Sequence, residues 1–305
     1  MKKILLSTTL LIATAGVAAA EVTLSGSGRF GLVNVSPVGV NVAGTQVSAR
    51  LRFNVDAKFE ADNGVTYGGR IRFQHSTGST SAAFSPAMLY VETNGFRVEV
   101  GNANSAYDSV ALMYNSELGY LGRSAGDPLG NYYGFNSGPY GAAEANRVGL
   151  YVAYSISGLN LKASYIQPNQ GLKTLPVGVD DETSIAVDYT FGQITLAAAA
   201  AQNGGGVTNN DLVFVGAAYA FSDVGNVGLN YNDNGGNLKT TTLYGNYKFG
   251  ATTVGAYVTD SNVAGADTAF GLGASYDLGG ATLAGSYQTG FANDDTFDIG
   301  VNFSF

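Results

Sequence analysis

The feature that most constrains this chain is a strict alternation of apolar and polar side chains. In the last ten residues, TFDIGVNFSF, every second residue is apolar, and aspartate, glycine, asparagine and serine stand between them. The same period of two runs through residues 49–60 and 65–74, where arginine, lysine and acidic residues occupy the polar positions. Such a period is typical of β-strands with two unlike faces. No stretch after residue 21 reaches eighteen consecutive apolar residues, so a membrane-embedded form of the chain would have to be a closed barrel.

A soluble β-sandwich also alternates, and two further features favour the barrel. Charged residues occur in the middle of the polar strand faces. In addition, tight turns such as Asn94-Gly95, Ser157-Gly158 and Gly279-Gly280 alternate with longer polar segments such as 75–85 and 168–181. Short turns at one end and long loops at the other are typical of outer-membrane barrels.

Counting the alternating segments gives about sixteen strands. At about 10–11 residues each, they use about 170 residues, whereas eight strands would leave too much chain over and 22 would need more. The predicted fold class is therefore all-β, a transmembrane antiparallel β-barrel. The predicted strands lie near 21–33, 47–61, 65–75, 86–93, 96–102, 146–157, 159–167, 182–191, 193–202, 211–222, 226–232, 238–249, 251–260, 268–278, 281–289 and 295–305.

The first twenty residues have the pattern of a secretory signal peptide. Lys2 and Lys3 precede a mostly apolar stretch, Ile4–Val17, and small residues follow it. The alternative of a membrane anchor is disfavoured, because the stretch is shorter than a bilayer-spanning helix and ends in a cleavage motif. We predict cleavage after Ala20, with residues 1–20 as the signal peptide and residues 21–305 as the exported barrel.

Composition excludes several other classes of protein. The chain has no cysteine, which rules out disulfides and thiolate metal sites. Its formal net charge of −8 argues against nucleic-acid binding. The single histidine, His75, would have to serve any Ser-His-Asp triad or histidine-based zinc site, and it stands at a strand end beside Ser76 and Thr77. We therefore predict no catalytic residue and no enzyme.

One interval, residues 103–145, carries no sustained alternation. Structureless segments of this length are uncommon in compact domains and are usually functional. A short helix is predicted over Ser105–Leu118 from the spacing of apolar residues at positions Tyr107, Val110, Ala111, Tyr114 and Leu118.

Four segments together resemble a known family. They are EVTLSGSGRFGLV at the mature start, the hairpins VSARLRFNVDAKFEADNGVTYGGRIRFQ and NRVGLYVAYSISGLNLKASY, and the terminal FDIGVNFSF. Their order and spacing resemble the general diffusion porins of the Gram-negative outer membrane, of the Rhodobacter type found in alphaproteobacteria. The resemblance implies a 16-stranded outer-membrane barrel, a homotrimer, and a third external loop (103–145) that folds inward and narrows the channel. It also implies that Phe305 is the signal read by the barrel-assembly machinery, and that Glu21 and Phe305 are neighbours.

Arginine is confined to the first half of the chain, ending at Arg147. Because side chains alternate between the two faces of a strand, seven of the arginines point toward the lumen. Facing lipid, each would cost about 2–4 kcal/mol, and water in the lumen removes that cost. The long segment adds acidic residues, and a basic wall opposite an acidic loop resembles the transverse field of the porin constriction. A second interpretation, compatible with the first, is that the arginines are stabilising partners for acids of the same wall, namely Asp56, Glu60, Glu92 and Glu99. The predicted constriction residues are Arg29, Arg50, Arg52, Arg70, Arg72, Arg97, Asp108, Glu117 and Asp127, with Arg147 also facing inward.

The densest run of acids gives a weaker prediction. Asp180, Asp181 and Glu182 lie on or beside a predicted external loop, and clustered carboxylates favour calcium. Divalent ions there would also bridge to lipopolysaccharide; the alternative is solvated loop charge. No other cofactor is predicted.

The sequence leaves three functions to compare. The first is a passive diffusion channel for small hydrophilic solutes and ions. The second is a substrate-specific channel of the same fold, and a more remote third is a barrel enzyme or adhesin.

Overall fold

The structure is a computed structural model that describes residues 20–36, 44–221 and 223–305. Apart from Ala20, the predicted signal peptide lies outside the described residues. Strands dominate the described chain, and two short 3₁₀ turns, Ala142–Glu144 and Gly204–Gly206, are its helical elements. No helix in these ranges is long and apolar enough to cross a membrane.

Seventeen strand segments form one sheet. In chain order they are β1 (Glu21–Ser36), β2 (Thr45–Glu60), β3 (Thr66–Ser76), β4 (Ala83–Phe84), β5 (Met88–Thr93), β6 (Phe96–Gly101), β7 (Val148–Ile156), β8 (Leu159–Gln167), β9 (Glu182–Phe191), β10 (Ile194–Gln202), β11 (Leu212–Ala220), β12 (Gly225–Asp233), β13 (Lys239–Phe249), β14 (Thr252–Ser261), β15 (Ala269–Asp277), β16 (Ala281–Thr289) and β17 (Asp295–Ser304).

The sheet is a closed barrel, because β1 pairs antiparallel with both β2 and β17. The two-residue β4 and the six-residue β5 both pair with β3, so together they form one strand of the wall. The wall therefore has sixteen antiparallel strands, which confirms the predicted fold class. Closure satisfies the edge groups that an open sheet leaves unpaired.

The polarity of the wall is the reverse of that in a soluble protein. On β9, Ile185 is 62% exposed while its neighbour Ser184 is 2% exposed, and the alternation continues with exposed Val187 and buried Asp188. Apolar side chains thus face outward and polar side chains face the lumen. A wall of this kind is stable with lipid outside and water inside.

The two ends of the barrel differ as the sequence predicts. At one end, here called the turn end, two-residue connections such as Asn94-Gly95 and Ser157-Gly158 have positive φ at both positions (47° and 78°, 48° and 84°). These are the conditions of a type I′ hairpin turn, whose twist matches that of the strands. At the opposite loop end, the connections are longer, and residues 102–147 form the longest of them.

The chain termini lie on neighbouring strands, but with an offset. Phe305 exchanges two backbone hydrogen bonds with Gly26, at 2.8 and 3.0 Å. Glu21 instead pairs with β2, where its carboxylate lies 3.2 Å from the ammonium of Lys58. The prediction that Glu21 and Phe305 are neighbours is therefore wrong, because β1 continues beyond the end of β17 toward the turn end.

Candidate functional site

Residues 102–147, here called the inner loop, run inside the barrel. The backbone N–H groups of Ala106 and Tyr107 donate to the hydroxyls of Ser164 and Ser184 on β8 and β9, at 2.9 and 3.1 Å. The predicted helix over residues 105–118 is wrong: the segment forms successive turns. Some of its amides bind side chains of the wall, and others, such as those of Ser109 and Val110, bind carbonyl oxygens three residues earlier.

A buried ion pair fastens the first part of the inner loop. The ammonium of Lys162 on β8 lies 2.7 Å from Asp188 on β9 and also donates to the carbonyl oxygen of Ser109. Asp188 also accepts a hydrogen bond from the backbone N–H of Ala111, so both members of the ion pair bind the loop. Sequence reasoning missed this anchor, although strand alternation places both charged side chains in the lumen on adjacent strands.

The loop then follows the wall from β8 to β17. Asn230 donates to the carbonyl oxygen of Leu112 at 2.8 Å, and the N–H of Tyr120 donates to Asp298 at 2.9 Å. Tyr120 lies so close to β17 that a Cβ added at Gly300 would come within 2.7 Å of its ring. The loop therefore fills the side of the lumen next to β8–β17, and the inner face of β1–β3 lies across the lumen from it.

The last part of the inner loop, residues 131–147, here called the return limb, is fixed at two further points. The carboxylate of Glu182 is fully buried, and its Oε2 accepts hydrogen bonds from the N–H groups of Tyr133 and Gly205, at 2.8 and 2.7 Å. Farther along, the guanidinium of Arg72 lies over the ring of Phe135 at 4.6 Å and donates to the hydroxyl of Ser137 at 2.9 Å. The inner loop is thus held to the wall on both sides of the barrel.

Four arginines on β1–β3 form what we call the arginine wall: Arg29, Arg50, Arg52 and Arg72. Arg29 stands directly opposite Arg50 in the β1–β2 register. Within the described residues, none of the four has a carboxylate within 4.0 Å. Like charges placed directly opposite each other are unfavourable, so this concentration of positive charge has a cost that the strands alone do not offset.

Neutral groups hold most of the arginine wall in place. Arg52 donates to Gln74 and Arg72 to Asn54, each at 2.8 Å. Arg29 donates to a carbonyl oxygen of the inner loop. Such partners orient a guanidinium without cancelling its charge, so the wall keeps its positive potential toward the lumen.

Two other predicted constriction arginines are neutralised. Arg70 lies 2.7 Å from Asp56, and Arg97 lies 2.6 and 2.7 Å from Glu92 and Glu99. For these two side chains, the structure favours the alternative reading of wall arginines paired with wall acids. Arg147 is also paired, with Glu144 of the loop at 3.2 Å.

The predicted loop acids occupy two different environments. Glu117 lines the same cavity as Arg29 and Arg50, and burial raises its pKa to about 7, against the opposing effect of Arg29. Burial, with Glu117 nearby, likewise raises the pKa of Asp127 to about 7. Asp108 instead accepts a hydrogen bond from the Tyr114 hydroxyl inside the loop. Among the predicted acids, Glu117 is the one that the structure brings to the cavity shared with the arginine wall.

The calcium candidates have separate partners. Asp180 accepts a hydrogen bond from Thr208 at 2.7 Å, and Asp181 accepts one from Tyr165. Glu182 accepts from Tyr133 of the inner loop and from Gly205 of the loop between β10 and β11. Across residues 20–36, 44–221 and 223–305, no group of three or more His, Cys, Asp or Glu side chains is placed to hold a metal ion. Calcium binding stays a prediction from the sequence.

Comparison with known proteins connects this geometry to a family. A sequence profile described as Gram-negative porin matches residues 7–305. A porin from Fuscovulum blasticum is 47% identical over 294 residues, which cover 93% of this chain and all of the relative. A porin from Rhodobacter capsulatus is 28% identical over 325 residues, with the same coverage of both chains. The solved structure of an engineered porin from Rhodopseudomonas blastica superposes with a TM-score of 0.89 at 46% identity, and covers 93% of this chain and all of that one.

The chain belongs to the Gram-negative porin family. The porin is a passive channel of the outer membrane, and its apolar outer wall is the surface that meets lipid. Porins of this kind have short periplasmic turns and longer external loops, so the turn end faces the periplasm and the loop end faces the outside. The inner loop is one of the external loops, and it enters the lumen between the arginine wall and strands β8–β17.

Proposed function

We propose that the porin conducts small hydrophilic solutes and ions through a charged constriction between the arginine wall and the inner loop. The observation that carries this proposal is that Arg29, Arg50, Arg52 and Arg72 lie on adjoining strands without a carboxylate partner in the described chain. Glu117 reaches the cavity that contains Arg29 and Arg50 from the opposite side. Positive and negative groups on opposite sides of a narrow passage produce a field across it.

Such a field selects solutes by polarity and charge. A dipolar solute can align with it, whereas an apolar solute must displace water that the field orders. Because the fixed charge of the arginine wall exceeds that of the facing acid, anions should enter more readily than cations. Salt should weaken this preference, since the screening length is about 8 Å at physiological ionic strength.

Arg50 offers the cleanest test, because it makes no hydrogen bond or ion pair to any residue the structure describes. In planar bilayers with a salt gradient, Arg50→Gln should move the reversal potential toward cation preference. The control is Lys248→Gln, which removes the same charge from an exposed position near the turn end of β13. A reversal potential that is the same for Arg50→Gln and the unaltered porin would refute the proposed constriction.

A general diffusion channel and a substrate-specific channel differ in how flux depends on solute. Liposome swelling with sugars of graded size should show a smooth size limit for the general channel, which we propose. Saturation by one sugar would favour the substrate-specific alternative. The absence of any flux would favour an adhesin or an enzyme, but the porin relatives support a channel without catalytic activity.

We further propose a homotrimer. One part of the wall is short, because β5 and β6 have six residues each. Six residues span about 20 Å along a strand, less than the apolar band of about 25 Å that a lone barrel presents to lipid. A neighbouring subunit packed against this part would cover it. Chemical cross-linking in outer-membrane vesicles should give a trimer, and a monomer under the same conditions would overturn this proposal.

The other proposed partners rest on the resemblance to porins. Phe305 is half exposed, and its ring lies 5.2 Å from that of Phe53 in an edge-on arrangement, so the terminal side chain is accessible to the barrel-assembly machinery. Lipopolysaccharide would meet the external loops at the loop end. Removal of divalent ions by a chelator tests whether a metal contributes to that contact.

A further inference from the structure

A cavity lies on the periplasmic side of the inner loop. Its volume is about 700 Å³, and we call it the lower cavity. Loop residues 117 and 119–122 form one side, β1 and β2 form another, and the periplasmic ends of β15–β17 complete it. This volume lies within the range of roughly 300–1,000 Å³ that is usual for small-ligand sites.

Two guanidinium groups line the lower cavity with unused hydrogen-bonding capacity. Arg29 donates from one Nη to the carbonyl oxygen of Leu121, and its other Nη makes no hydrogen bond to the residues described. Arg50, directly opposite, has no hydrogen bond or ion pair to the residues described. Each guanidinium offers five N–H donors in a planar fork, which matches the oxygen spacing of phosphate, sulfate and carboxylate.

We propose that the lower cavity binds a small inorganic oxyanion of the phosphate or sulfate type between Arg29 and Arg50. The anion supplies the counter-charge that the two arginines lack, and its oxygens accept from guanidinium N–H groups that the protein leaves unused. This inference rests on the proposed constriction, since both arginines belong to the arginine wall. It adds a binding step, so the flux of such anions would saturate.

Glu117 makes this site sensitive to pH. Its carboxyl lines the lower cavity, and burial raises its pKa to about 7. Below that pH the group is neutral and tolerates an anion; above it, the carboxylate repels the anion and attracts the same arginines. Other charged groups line the cavity or act on these residues and their neighbours. They come from β2, β3, β15, β17 and the loop: Arg52, Arg72, Asp277, Asp298, Arg123 and Asp127.

The net effect of raising the pH is therefore one added negative charge beside the bound anion. A like charge in the same cavity changes a binding equilibrium by an amount of the order of one pKa unit, so the affinity should fall about tenfold. Asp127 titrates in the same range but does not line the cavity, so its charge should contribute less.

The test is block of chloride current by added sulfate, whose charge is the same at pH 6 and pH 8. In single-channel recordings at pH 6, sulfate should reduce the conductance of the unaltered porin with a saturating concentration dependence. The half-blocking concentration should rise about tenfold at pH 8. Glu117→Gln should keep the pH 6 value at both pH values. Lys248→Gln should behave like the unaltered porin.

Arg50→Lys separates this inference from the proposed constriction. Lysine keeps the positive charge, so the reversal potential in a salt gradient should stay unchanged, but it loses the fork and sulfate block should weaken by about tenfold. Sulfate block that does not saturate, or that is equal in Arg50→Lys and the unaltered porin, would overturn the oxyanion site and leave the constriction standing. Unchanged reversal potentials and unchanged block in Arg50→Gln would overturn both.

Discussion

Glu182 joins the inner loop to the loop between β10 and β11, so its removal should free the return limb of the inner loop. One carboxylate oxygen accepts from Tyr133 at 2.8 Å and from Gly205 at 2.7 Å, while the other oxygen is buried and has no partner among the described residues. In Glu182→Ala, both amides lose their acceptor in a site that water does not reach in the native structure. The barrel wall would stay intact, and the inner loop would lose one of its attachments to the wall.

The size of the effect follows from the two hydrogen bonds. When Glu182 is ionised, each hydrogen bond to its carboxylate contributes about 1.5–3 kcal/mol, so the two give about 3–6 kcal/mol. Removing a buried carboxylate also removes its desolvation cost, which places the net local effect near the lower value. A loss of about 3 kcal/mol corresponds to an opening equilibrium roughly 100-fold more favourable.

Hydrogen exchange with mass spectrometry measures this opening directly. Peptides that contain Tyr133 and Gly205 should exchange roughly 100-fold faster in Glu182→Ala, and by an intermediate factor in Glu182→Gln, whose amide oxygen still accepts. Asp181→Asn is the matched control, because Asp181 accepts its hydrogen bond from Tyr165. Unchanged exchange at both peptides in Glu182→Ala would refute the role we give to this carboxylate.

Three further predictions concern other parts of the porin. Lys162→Met leaves a buried carboxylate without its cation, and should weaken attachment of loop residues 105–112 by about 3–5 kcal/mol, measured as faster hydrogen exchange there. Phe305→Ala removes aromatic contacts of about 0.5–1.5 kcal/mol and the proposed assembly signal, so a smaller fraction of the chain should reach the heat-modifiable barrel form in outer membranes. The double change Asn54→Asp with Asp56→Asn keeps the net charge, pairs Arg72 with a carboxylate and releases Arg70, which lies two residues nearer the turn end. Because Arg72 contacts the inner loop and Arg70 does not, the reversal potential should move toward cation preference; no movement would count against local control of selectivity.

The wall of the barrel is predictable from the sequence because its causes are local. Alternation assigns each side chain of β9 or β17 to one face, and that assignment holds whatever the strand pairs with. Turn chemistry marks the hairpins, since Asn94-Gly95 and Ser157-Gly158 tolerate the positive φ that their turns require. Strand ends accordingly fall within two or three residues of their predicted positions in most of the wall.

The path of the inner loop has no such local cause. Its anchors are single side chains on separate strands, such as Ser164, Asp188, Asn230 and Asp298. Strand alternation indicates that these side chains face the lumen, but it does not show which backbone groups they bind. The helix predicted over residues 105–118 fails for the same reason, because the wall supplies partners that the segment's own sequence does not show.

The charge of the proposed constriction depends on strand register, which is less local than alternation and more local than the path of the inner loop. The β2–β3 pairing places Asp56 opposite Arg70 and Asn54 opposite Arg72. A slip of two residues would keep every side chain on its face and yet put Asp56 opposite a different arginine. Alternation therefore identifies the arginines that face the lumen but not those that stay unpaired. The short turn joining β2 to β3 fixes which arginines stay unpaired, so a connection at the periplasmic end determines the potential at the proposed constriction.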